Sequence, residues 1–118
     1  MGKRARRRGA VDKLTAPDTS YTSGSGDELV LRGAMTAKTR SQYASVLQGG
    51  LNQEDAWQRA VEFLFERLAV RWTVAGVPTE GQKALLMRFR VATRDERTWI
   101  RSVLREHLAE HFPDVEAP

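Results

Sequence analysis

A chain of 118 residues with 41% hydrophobic and 29% charged side chains and a formal net charge of +4 has the size of one domain and enough apolar content to build a core. It has no cysteine, which excludes disulfides, thiolate metal sites, cysteine nucleophiles and iron–sulfur ligation, and which fits a reducing cytoplasm. Five of the 19 basic residues stand within the first eight positions with no acid beside them; the rest of the chain has one more acid than base, so any bulk attraction to a polyanion is confined to the tail.

The first 27 residues open with that basic block, Lys3, Arg4, Arg6, Arg7 and Arg8, and continue through Thr, Ser, Gly, Asp and Pro to Ser23-Gly24-Ser25-Gly26. This is linker composition, and a disordered basic tail is expected over 1–27, with a helical domain over 28–118. The arginines are not followed by the apolar stretch of a signal peptide, and no apolar run approaches the ~18 residues of a membrane span. Those features predict a cytoplasmic protein that does not engage a membrane.

Leu29-Val30-Leu31 is the one strand-like run, but three apolar residues before Gly33 are too few to specify a sheet, and an extended lead-in or a helical turn is expected. Thr36 is placed to cap a first, short helix over 37–48, closed by Gly49-Gly50. Asn52 caps the longest predicted helix, with Glu54 and Asp55 in the first turn where the helix dipole favours acids. Trp57, Val61, Leu64, Leu68 and Trp72 recur at helical spacing, and Phe63, Val70 and Val74 form a second stripe, so this helix is expected to reach Ala75 and to centre the fold. The second stripe predicts self-association into a homo-oligomer, and Phe65, falling between the stripes, is expected at a surface.

Thr79-Glu80-Gly81-Gln82 has the spacing of a capping box and predicts a third helix over 80–91; Thr93-Arg94-Asp95-Glu96 repeats that spacing and predicts a fourth over 94–111. The closing residues Asp114 to Pro118 are expected to fray. The fold class that follows is all-α, a small bundle of three longer helices with a short leading helix.

His107-Leu108-Ala109-Glu110-His111 spells H-x-x-E-H, an inverted zinc-protease pattern, and two histidines four apart share a helix face. A third ligand and a substrate cleft are not evident around it, so His107 is expected in the core stripe and His111 in the last turn, without metal. No nucleophile elbow, phosphate-cradling loop or acid pair is legible either; the chain is not expected to be an enzyme and needs no cofactor. The helix pair around Thr93 invites comparison with a helix-turn-helix, but Arg90 stands at the usual turn glycine and Glu96 where an aliphatic side chain is normally buried.

The informative feature is a ladder on the last helix. Arg94, Arg97, Arg101 and Arg105 stand three or four apart, none with an acid at a helical neighbour position, and each like-charge pair costs roughly 0.2 to 0.5 kcal/mol. Glu62 and Glu66 across a helix pair are one compensator; an acidic partner is the other, with Arg88 and Arg90 enlarging the patch. The expected role is non-catalytic: an interaction or regulatory protein that binds an acidic protein partner through the tail and the arginine face. Nucleic-acid binding by the same residues and an accessory role in an enzyme complex are the alternatives.

Overall fold

The computed structural model describes residues 16–118. Its elements run, in order, β1 (Thr19–Thr22), β2 (Glu28–Leu31), α1 (Ala37–Gln48), α2 (Gln53–Leu68), β3 (Ala69–Val74), β4 (Val77–Glu80), α3 (Gln82–Arg90) and α4 (Arg94–His111). The fold is therefore mixed α/β rather than an all-α bundle: four antiparallel strands form one sheet in the order β1-β2-β3-β4.

Two local choices produce the sheet. The expected long helix stops at Leu68, and Ala-Val-Arg-Trp-Thr-Val continues as a strand, because β-branched and aromatic residues gain more from a pleated, half-buried surface than from a helix. Ala75 and Gly76 then reverse the chain with φ of 50° and 80°, between Val74 and Val77, which face each other across the hairpin. Positive φ at both central residues is the mark of a type I′ turn, whose twist matches that of the flanking strands. Asp27 Oδ1 accepts from the Ala75 amide at 3.1 Å and fastens this turn to the first hairpin.

Leu29-Val30-Leu31 is central to the sheet. It pairs with β3 on one side and with Thr19–Thr22 on the other, so residues read as linker supply a strand, and Ser23 to Asp27 make its turn. Alternation along the strands sends Tyr21, Leu29, Leu31 and Trp72 toward the helices, leaving Ser20, Glu28 and Arg71 on the other face. There Glu28 accepts from the Ser20 hydroxyl at 2.7 Å and lies 3.6 Å from Arg71. Proline belongs at a sheet edge, and Pro78 sits in the edge strand β4.

The helices α1 and α4 have the predicted bounds, capped by Thr36 and Thr93, and Thr93 with Glu96 closes a full capping box. The box read at residues 79–82 does not form, because Thr79 and Glu80 are spent in β4 and the cap of α3 is Gly81. Phe65 is not at a surface: it is 0% exposed, with the Phe89 and Trp72 rings 4.9 and 5.7 Å from it by centroid. The closing residues are also pinned. The Tyr43 hydroxyl donates to the Glu116 carbonyl at 2.6 Å, Arg40 pairs with Asp114 at 3.1 Å, and Val115 and Ala117 pack on the core.

Candidate functional site

The ladder exists because α4 forms as its capping box and apolar stripe dictate. Ile100, Val103, Leu104 and Leu108 are buried on the inner side, which turns Arg94, Arg97, Arg101 and Arg105 outward together. Arg97 donates to the Arg90 carbonyl at 2.8 Å and lies over the Phe89 ring at 5.2 Å. Arg101 lies over Trp57 at 5.2 Å, and its nearest paired carboxylate oxygen, on Glu54, is 3.9 Å away. Arg105 donates to the main-chain oxygen of Pro118 at 3.0 Å. Among the described residues, Arg94 has no ion-pair partner.

Three of these guanidiniums form one wall of an open groove of about 730 Å³ between α2 and α4. Val61, Phe89 and Ala92 also line it, and Glu54, Asp55 and Glu62 stand on the α2 side with Arg59. Arg105 lies beyond the groove, toward the end of α4. The aromatic supports matter electrostatically: a guanidinium resting on a ring keeps its charge while losing conformational freedom, so less entropy is lost when it meets an anion.

The internal compensators are placed differently from the sequence expectation. Glu62 lines the groove but accepts from Arg90 at 2.9 Å, and Glu66 lies 3.5 Å from its neighbour Arg67. Arg88 is likewise occupied, donating to Glu96 at 2.8 Å and lying 4.6 Å over the Trp72 ring. Burial works against ionisation of Glu96, but the Thr93 backbone amide and Arg88 outweigh it and hold the carboxyl below its usual range. Arg88 and Arg90 thus serve the fold, and Glu96 takes a paired, half-buried place where a helix-turn-helix would bury an aliphatic chain.

The histidines of the H-x-x-E-H pattern have structural partners. His107 is fully buried; its Nε2 donates to the Arg32 carbonyl at 2.7 Å, which requires Nδ1 to be the acceptor of the Tyr21 hydroxyl at 2.8 Å. Both ring nitrogens are engaged, leaving no lone pair for a metal. Burial first, then Glu110 and Glu106, push Tyr21 up to about 12, so it remains a donor. His111 Nε2 lies 3.2 Å from Thr19 Oγ1, so the two histidines tie α4 to the edge strand β1. Among the described residues no group of three His, Cys, Asp or Glu side chains is placed to hold a metal ion.

Lys3, Arg4, Arg6, Arg7 and Arg8 lie outside the described residues. Sequence reasoning missed the aromatic supports, Trp57 and Phe89, because both read simply as core. It also missed the outer side of α3, where Met87 and Val91 are 61% and 75% exposed. Their signal was available: they stand four apart and out of phase with Leu85 and Phe89, which face inward. No helix among the described residues is long and apolar enough to cross a membrane. No protein-family model, curated protein or solved structure matches the chain.

Proposed function

We propose that this chain is a non-catalytic binding protein of the cytoplasm that takes an acidic protein partner on the arginine face of α4, with the basic residues 3–8 adding long-range attraction. The observation that carries this reading is that, among the described residues, no Asp or Glu side chain pairs with the ladder more closely than 3.9 Å: Arg97 and Arg105 rest on main-chain oxygens, Arg101 is 3.9 Å from Glu54 and Arg94 has no ion-pair partner. Such guanidiniums keep donors for an external carboxylate, and two of them already lie on aromatic rings.

The charge pattern favours a protein over nucleic acid. Glu54, Asp55 and Glu62 stand within the same groove as Arg94, Arg97 and Arg101. A phosphate backbone carries a negative charge at every nucleotide and meets repulsion there, whereas a polypeptide is free to place acids opposite the arginines only.

The test is titration of the full chain and its Arg94→Glu/Arg97→Glu variant with polyglutamate, duplex DNA and single-stranded RNA at two salt concentrations. Polyglutamate binding that the variant lowers about tenfold is the expected result. Nucleic acid that binds more tightly than polyglutamate, with a salt slope reduced in the variant, assigns the face to phosphate instead.

A further inference from the structure

The segment from Gly81 to Arg94 contains no acid, and it holds Lys83, Arg88, Arg90 and Arg94. Its helix, α3, is apolar on two sides. Leu85 and Phe89 are buried on the inner side, while Ala84, Met87 and Val91 stand exposed on the outer side, the last two among the most exposed large apolar residues of the described chain. Apolar side chains at i and i+4 lie one turn apart, about 6 Å, and make a ridge on the helix surface.

The four cations divide into two kinds. Arg88 and Arg90 are consumed by Glu96 and Glu62. Lys83, one turn before Met87, and Arg94, three residues after Val91 in the chain, have no ion-pair partner among the described residues. Along the chain, the exposed Met87 and Val91 are therefore bracketed by two cations without an ion-pair partner among the described residues. Water solvates that arrangement at a hydrophobic cost, and its complement is an apolar ridge flanked by acids.

We propose that the outer side of α3 docks an acidic amphipathic helix of a partner protein, its apolar residues on Met87 and Val91 and its carboxylates at Lys83 and Arg94. This deepens the arginine-face function and rests on it, since Arg94 lines the groove of that face and follows Val91 by three residues. A helix fits better than a strand because Met87 and Val91 are spaced at a helical turn and α3 offers no strand edge to extend. Phosphate backbones gain nothing from Met87 and Val91, and this side of α3 carries no aromatic ring for a base to stack on. The small apolar area makes the complex a transient one.

The experiment is methyl NMR of the full chain. Its three methionines include the exposed Met87 and the buried Met35, the latter serving as an internal control. The probes are a synthetic helical peptide of about 18 residues with leucines on one face and glutamates on both flanks, the same residues in scrambled order, and the version with lysines for glutamates.

The expected result is a saturable shift of the Met87 methyl with the acidic amphipathic peptide alone, Met35 unmoved. Affinity falls about tenfold in Met87→Ser/Val91→Ser, whose positions are exposed and whose fold is checked by circular dichroism. Equal binding of the scrambled peptide, or no shift of Met87 at millimolar peptide, overturns the proposal. So does a Met87 shift that follows the protein's own concentration, which marks a second copy as the occupant, or one produced by homopolymeric RNA. If Arg97→Glu/Arg101→Glu abolishes polyglutamate binding while Met87→Ser/Val91→Ser leaves the peptide bound, the arginine-face function stands and the α3 site does not. If the serine variant loses the peptide while polyglutamate binding ignores the arginines, the α3 site stands and that function fails.

Discussion

Replacing Tyr21 with Phe removes the hydroxyl that donates to His107 Nδ1 at 2.8 Å and changes little else. The hydrogen bond itself contributes about 1 kcal/mol, and the buried acceptor left behind adds a desolvation penalty of roughly 1 kcal/mol, so a loss near 2 kcal/mol is expected. His107 makes the same contact dependent on pH. Burial is the main cause that pushes its pKa below the ordinary value; the Arg32 carbonyl opposes this, His111 adds to it and Glu110 opposes it more weakly. The unfolded chain therefore binds a proton at His107 near pH 6.5 while the folded chain does not. The stability from this residue is complete above about pH 6.5 and falls as pH drops toward the folded value, by at most about 1.4 kcal/mol per pH unit. Urea unfolding of the wild type and of His107→Gln, measured from pH 7.5 to 5, isolates the contribution, because the two proteins differ at this residue alone. A variant whose stability falls as steeply as the wild type across that range would refute the buried, neutral assignment of His107.

Ala75→Asn places a residue that tolerates left-handed backbone where φ is 50°, and it should raise stability by about 0.5 kcal/mol in thermal unfolding; a lower melting temperature argues against the type I′ turn. Tyr43→Phe removes the 2.6 Å bond to the Glu116 carbonyl and should cost about 1 kcal/mol, with faster hydrogen exchange at the Val115 amide, which bonds to Phe112. Unchanged exchange at Val115 would show that the closing segment is held by its apolar contacts alone.

Much of the helical part was legible because its signals are local. Thr36, Asn52, Thr93 and Glu96 cap through neighbours three residues away, and the buried stripe of α4 repeats at the helical period. The strands were hidden for the opposite reason. Val70, Trp72 and Val74 alternate as a strand does, but Trp72 also continues the helical stripe of Val61, Leu64 and Leu68, and Val70 and Val74 that of Phe63, so periodicity alone cannot choose. Pairing with Leu29-Val30-Leu31 decides it, a contact between segments some forty residues apart, and the polar Thr19–Thr22 becomes a strand only because β2 offers it an edge.

The candidate site divides the same way. Composition and spacing by themselves determined that Arg94, Arg97, Arg101 and Arg105 share a helix face without acids in reach on that helix. Which acids approach from elsewhere is a matter of helix crossing, and the tertiary structure gave Glu62 to Arg90 and brought Glu54 toward Arg101. It also set Trp57 and Phe89 beneath the guanidiniums, gave the core-stripe His107 its partners Tyr21 and Arg32, and left Met87 and Val91 in water. A sequence fixes the direction in which each side chain leaves its own helix; only packing determines what stands there to meet it.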